Sequence, residues 1–207
     1  MKAYPSITTK IDFSQTYHIF DKYDGSNIRA EWSPKQGFYK FGSRTQLLIP
    51  DQANLYSSIE VFKNLHAEEL AVRFTKAKYE RAIVFFEWVG PNSFAGSHPD
   101  PIELMEPILI DIDVYKKGFM PPERFVDFTV GLKAAKLLHQ GRIDEDFFQS
   151  VRNRTLEGMS FEGVIGKRKD IDKGSCQPTM FKVKSNDWLD KLKTICNGDE
   201  ALYNRLK

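Results

Sequence analysis

Lys22-Tyr23-Asp24-Gly25-Ser26-Asn27 decides the reading of this chain. A lysine two residues before an Asp-Gly turn suits a nucleophilic amine that must meet a phosphate. Alone, Lys-x-Asp-Gly fits any solvated surface turn. Five companions follow it in order: Ser43-Arg44, Glu87 in Phe-Glu-Trp-Val-Gly, Asp111 in Ile-Asp-Ile, Glu162-Gly163-Val164-Ile165, and Lys182-Val183-Lys184. Each has an ordinary structural reading. Arg44 suits an exposed surface, Glu87 a strand-end salt bridge, and Glu162 with the lysine pair an exposed charged ladder. The ordered set, rather than any member, carries the functional reading.

Outward from this stretch, Tyr17 to Phe20 reads as a short strand entering the lysine turn. Ser26 to Trp32 alternates, with Ile28, Ala30 and Trp32 on one face, and reads as a strand. Ser33-Pro34-Lys35-Gln36-Gly37 is a turn and Phe38 to Phe41 the returning strand. Leu55, Ile59, Phe62, Leu65, Leu70 and Phe74 mark one or two amphipathic helices over Asn54 to Lys78. Arg81 to Val89 and Pro107 to Tyr115 are apolar enough for buried strands, the second interrupted by Asp111 and Asp113. Pro91 to Pro101 reads as a loop, in which Phe94 is an anchor or a base-stacking residue and His98 a surface residue. Pro121-Pro122-Glu123 predicts a helix through about Leu138, and Asp144 to Arg154 another. Ser160 to Arg168 and Thr179 to Lys184 are strands, and Asn186 to Lys207 a terminal helix broken at Asn197-Gly198. Strands and helices mix without regular βαβ alternation, so the expected class is α+β with largely antiparallel sheets. The basic run Lys167-Arg168-Lys169 reads as a solvated face or as lining for a nucleic-acid groove.

The 207 residues allow one large domain or two small ones, with a substantial core. A net charge of +2 does not announce a nucleic-acid binder, so any basic surface must come from clustering. Cys176 and Cys196 lack metal-ligand spacing and suggest a reducing, cytoplasmic setting. No apolar run approaches the roughly 20 residues needed to cross a bilayer, and no signal-like stretch follows Met1.

The ordered motifs resemble the nucleotidyltransferase motifs of polynucleotide ligases and mRNA capping enzymes, and most of all those of RNA ligases. The resemblance covers about residues 17 to 185. It implies two mainly antiparallel sheets with flanking helices and a nucleotide between them. Lys22 matches the lysine that becomes linked to AMP, and Asp24 the position that orients metal-bound water beside it. Asp21 is carried with this motif as a nucleotide contact. Asn27 and Arg44 match residues contacting ribose, phosphates or an incoming 5′-phosphate. Glu87 matches the glutamate that bonds a ribose hydroxyl or a metal water, and Glu162 a metal-associated glutamate. Lys182 and Lys184 match the pair that binds the α-phosphate; alternation along a strand puts them on one face. Ile110 and Asp111 match the base-binding motif, but an aromatic usually stands where Ile110 is, so the stacking role passes to an aliphatic sandwich or to another aromatic.

These matches imply an ATP-dependent RNA ligase acting through lysyl-AMP. ATP and Mg2+ (or Mn2+) are the expected cofactors, with Asp24, Glu87 and Glu162 holding the metal through water. RNA is expected ahead of DNA as the substrate. The alternatives are a minimal ATP-dependent DNA ligase and a non-catalytic nucleotide or nucleic-acid-end binding module. The expected organisation is a catalytic domain over 1–185 and a short helical extension over 186–207. Only 23 residues follow Lys184, too few for the OB domain of DNA ligases and capping enzymes. A protein partner replacing that domain is left open. A free lysine is almost wholly protonated at neutral pH. Lys182, Lys184, Arg44 and a bound cation are therefore expected to depress the Lys22 pKa while neutralising phosphate.

Overall fold

The computed structural model describes residues 1–50, 53–91, 104–172 and 177–207. Phe94, His98 and Cys176, and nearly all of the loop expected over Pro91 to Pro101, lie outside the described residues. Two antiparallel sheets face each other. Sheet A has strand order β7-β1-β8-β9, from β1 (Thr16–Lys22), β7 (Leu137–Arg142), β8 (Gly163–Asp172) and β9 (Gln177–Lys184). Sheet B has order β3-β2-β4-β5-β6, from β2 (Gly25–Ser33), β3 (Gly37–Ser43), β4 (Ala82–Val89), β5 (Glu106–Val114) and β6 (Gly118–Phe119). The α+β class read from the sequence holds. Tyr23 and Asp24 are all that separates β1 from β2, so the chain changes sheets within the Lys-x-Asp-Gly motif. Gly25 permits this: a Cβ there would stand 2.5 Å from the Trp88 carbonyl oxygen of β4.

Helices cover the outer faces. On sheet B, α1 (Ala53–Phe62) and α2 (Glu68–Lys76) bring Phe62 and Phe74 onto Phe86 and Trp32, with centroids 4.7 and 5.1 Å apart. On sheet A, Val151 of α4 (Glu145–Arg152) packs with Tyr17, Ile19, Val164, Phe181 and Val183. Each such fully buried side chain contributes roughly 1.5–3 kcal/mol. Between the sheets, α3 (Pro122–Phe128) sets Phe125 edge-on to Phe20. The chain ends in α5 (Asn186–Cys196) and α6 (Glu200–Leu206), broken at left-handed Asn197 as expected. No helix among the described residues is long and apolar enough to cross a membrane.

Three expectations are corrected. The helix from Pro121 stops at Phe128, and Leu137 onward is strand. The intervening backbone is claimed by tertiary bonds instead: Leu109 N–H donates to the Lys133 carbonyl and Asp21 N–H to that of Lys136. Leu65 is 47% exposed, while His66 is buried. A π-helical turn over Lys63–Ala67 separates α1 from α2. Its wider turn takes fewer degrees per residue, which offsets the over-rotation of an α-helix and keeps Phe62, His66, Leu70 and Phe74, spaced by four, on one face.

Finally, Lys167 is not on a solvated face. It is 4% exposed, and its Nζ donates to Asp111 Oδ2 at 2.7 Å and to the Ile110 carbonyl at 2.6 Å. The Tyr4 hydroxyl donates to the same Asp111 oxygen at 2.7 Å. This buried group ties β8 of sheet A to β5 of sheet B.

Breaking one partner of a buried pair leaves the other charge stranded. Lys167→Met is expected to cost about 3–5 kcal/mol in denaturant unfolding, and adding Asp111→Leu to recover a large part. A single mutant within about 1 kcal/mol of wild type would contradict the tie. The His66 imidazole is held below its ordinary value of 6.5, chiefly by burial. The unfolded chain therefore takes up protons first as pH falls through that value, and stability falls with it. From about pH 7 to about pH 5 the unfolding midpoint should drop more steeply in wild type than in His66→Gln; parallel slopes would overturn this.

Candidate active site

A cleft of about 640 Å3 opens between the sheets. Its charged floor follows from strand register. Lys22, Gly163 and Lys184 lie opposite one another on β1, β8 and β9. Directly paired residues share a face, so the two lysines meet over a glycine. Gly163 has φ +141°, and a Cβ there would overlap the Val183 carbonyl. Glu162, just before β8, is pinned because its carbonyl accepts from Ser185 N–H at 2.8 Å while Ser185 Oγ donates to the Phe161 carbonyl at 2.7 Å.

The Glu162 carboxylate is shared. Lys22 Nζ donates to Oε2 at 2.7 Å, and Lys184 Nζ stands 3.1 Å from Oε1. Lys184 also lies over the Trp188 ring, 3.4 Å from its centroid. Lys182, one row along opposite Ile165, is half-buried. From sheet B come Asn27, Glu87 and Ile110, with Arg44 just past the end of β3. Asn27 pairs directly with Glu87 across β2 and β4, and its side-chain amide favours the charged form of the carboxylate. Arg44 is exposed at the rim, 3.4 Å from Ser6 Oγ.

The electrostatics correct one expectation. Lys22 is not depressed by neighbouring cations. Burial does oppose its ammonium form, but the combined pull of Glu162, Glu87 and Asp24 outweighs this and raises its pKa. The depressed lysines are its neighbours. Burial, and then Lys22 itself, lower Lys182. Burial lowers Lys184 to about 8, although Glu162 opposes the shift. Glu87 is pushed up to about 7 by burial, with Lys22 opposing and Glu162 and Asp24 adding like charge. Carboxylates thus outweigh cations around the amine.

Of the residues singled out in the sequence, Lys22, Asp24, Asn27, Arg44, Glu87, Ile110, Glu162, Lys182 and Lys184 line the one cleft. Two do not. Asp21, next to Lys22 on the strand, points to the opposite face and accepts from Ser160 N–H and Oγ, both at 2.9 Å. Strand alternation forbids its side chain the cleft. Asp111 is covered by Tyr4 and committed to Lys167. Ile110 and Asp111 sit where β5 slips register against β4 between Phe85 and Phe86. A bulge there leaves Ile110 on the cleft wall beside a buried Asp111.

The other cleft residues have no role assigned by the motifs. Ile165 faces inward from β8, as its spacing from Gly163 dictates. Tyr4 to Ile7 form another wall, held to sheet A where Lys182 N–H donates to the Thr8 carbonyl at 2.8 Å. Trp188, Arg205 and Leu206 close the far side. The backbone oxygens of Leu206 and Lys207 accept from Lys184 and Lys182, at 3.3 and 2.8 Å.

No three His, Cys, Asp or Glu side chains among the described residues form a ready-made metal cage. Asp24, Glu87 and Glu162 nevertheless supply hard oxygen donors with excess negative charge at one end of the cleft. That set suits a magnesium-class ion held by few carboxylates and several waters.

Comparison with known proteins agrees with this geometry. The family model for RNA ligase matches residues 15–184. The fold is similar to an archaeal ATP-dependent RNA ligase, with TM-score 0.67 and 15% identity over 95% of this chain and 52% of that one. It is similar to a Naegleria gruberi RNA ligase with PPi, with TM-score 0.63 and 16% identity over 87% and 52%. It is also similar to a mutant of a Naegleria gruberi RNA ligase with ATP and Mn, with TM-score 0.63 and 15% identity over 91% and 59%. The chain therefore spans between about half and three-fifths of the length of these proteins. No curated protein matches it. With the family match running through both sheets and every cleft motif from Lys22 to Lys184, this chain belongs to the RNA ligase family.

Proposed function

We propose that the chain is the nucleotidyl-transfer unit of an ATP-dependent RNA ligase and that Lys22 is its nucleophile. The observation that carries this is the Glu162 carboxylate shared between Lys22 and Lys184 at the base of a nucleotide-sized cleft. In the first step Lys22 Nζ, having lost its proton, attacks the α-phosphorus of ATP. A P–N bond forms, the bond from that phosphorus to the bridging oxygen breaks, and pyrophosphate leaves. A 5′-phosphate oxygen of an RNA end then attacks the phosphorus of the lysyl-AMP, a P–O bond forms, the P–N bond breaks and the Lys22 amine takes up a proton. A 3′-hydroxyl attacks that phosphate and expels AMP.

The resting site stores Lys22 as an ammonium aimed at Glu162. This orients the nitrogen and keeps it unreactive until charge is added to the cleft. Asp24, Glu87 and Glu162 would hold a magnesium-class ion, whose positive charge would offset the pull of those carboxylates on Lys22 and screen the phosphates. Lys184 and Lys182 contribute N–H donors where charge accumulates on the α-phosphate oxygens. Asn27 and Glu87 face the same space as ribose ligands, and Arg44 stands at the rim for a 5′-phosphate. Ile110 of sheet B and Ile165 of sheet A offer aliphatic walls to the base. RNA is the substrate favoured by the family, and comparing sealing of pre-adenylated nicked RNA with nicked DNA tests that preference.

Incubation with magnesium and ATP labelled at the α-phosphate should give acid-labile label on wild type and none on Lys22→Ala. Folded wild-type protein that stays unlabelled would refute the proposal. Lys184→Ala should slow labelling by about 10²–10³, as for loss of one preorganised charge donor. Lys182→Ala, at a half-exposed position, should slow it less. Near-normal rates for both would remove the phosphate role of the pair.

A further inference from the structure

Both lysines assigned to phosphate are engaged in this structure by the end of α6. Lys184 Nζ donates to the Leu206 main-chain oxygen and Lys182 Nζ to that of Lys207. Leu206 itself stands at the cleft wall. A main-chain oxygen and a phosphate oxygen accept the same ammonium hydrogens. The helix end and a triphosphate therefore compete for one pair of donors.

The helix is suited to letting go. It has seven residues, none fully buried. Leu202, Tyr203 and Leu206 only partly pack on Phe161, Trp188, Leu192 and Cys196. Asn197 (φ 45°) and Gly198 (φ 87°) turn the chain sharply between α5 and α6. Asp199 then caps α6, its Oδ1 accepting from Leu202 N–H at 2.9 Å. A helix this short is marginal without its packing, so undocking it costs little. It also lies beyond residues 15–184, the stretch common to the family.

The geometry points to α6 as an autoinhibitory lid, whose end must release Lys182 and Lys184 before a triphosphate or pyrophosphate group can bind. This rests on the phosphate role proposed above for the two lysines. Apparent affinity for a polyphosphate is then the intrinsic affinity reduced by the fraction of molecules with α6 released.

The test uses magnesium pyrophosphate, which probes the lysines without requiring covalent chemistry. Asp199→Ala removes the cap at an exposed position away from the cleft, and Leu202→Ala trims the packing. Calorimetric titration should show each variant binding pyrophosphate roughly fivefold more tightly than wild type. In wild type, added pyrophosphate should speed amide exchange in α6 and leave α5 protected. Unchanged affinity in both variants overturns the lid. Weaker binding also overturns it, showing that α6, which carries Arg205 at the cleft, acts as a clamp. Tighter pyrophosphate binding without AMP labelling of wild type upholds the lid and sinks the catalytic reading. AMP labelling with unchanged pyrophosphate affinity does the reverse.

Discussion

One buried carboxylate, that of Glu162, serves two ammonium groups, and the architecture of the site depends on it. At 3% exposure it would be costly alone. Paired with Lys22 and Lys184, it becomes the point where three neighbouring strands meet. The arrangement requires a residue without a side chain between the lysines, which Gly163 provides. It also requires the carboxylate to be fixed just before β8, which Ser185 provides through two main-chain oxygens. Remove any of these and two like charges lie side by side across a sheet with nothing to reconcile them.

The cleft opens between two ties that hold the sheets together. The chain crosses at Tyr23-Asp24, and the buried Lys167–Asp111–Tyr4 group ties the sheets deeper down. Between these ties, sheet A contributes the amine and its cationic neighbours. Sheet B contributes Asn27 and Glu87. The frame is set by aromatic packing on both outer faces, whereas the rim is built from weaker material: the segment from Pro5 to Ile7, Arg44 and the end of α6. A rigid floor with a loosely held rim suits a site that must fix a nucleophile yet admit a charged nucleotide.

Much of this was legible in the sequence, and the failures have physical causes. The apolar runs at 81–89 and 107–115 gave two of the three inner strands of sheet B, and the Lys-x-Lys spacing placed Lys182 and Lys184 on one face. Asp21 was misplaced by adjacency to Lys22, although alternation alone excludes it. The basic run around Lys167 suggests a solvated face or a nucleic-acid groove, yet Lys167 shares the parity of Gly163 and Ile165 and so faces inward. The π-helical turn at Lys63–Ala67 and the short α3 were hidden because both answer to tertiary packing rather than local preference. The bulge near Ile110 was equally hidden. The sign of the Lys22 pKa shift was missed because the motif list names cations and carboxylates without saying which lie nearest. Tyr4, Trp188 and Leu206 carry no motif, and only the fold brings them to the cleft.

The central claim is that Lys22 Nζ is the atom that takes AMP. Peptide mapping by mass spectrometry, after brief incubation with ATP and magnesium and digestion under conditions that preserve P–N bonds, tests it most directly. The account predicts AMP on the peptide containing Lys22, with fragment ions assigning it to that side chain. AMP on Lys182 or Lys184 instead, or no adduct on folded protein, would contradict it.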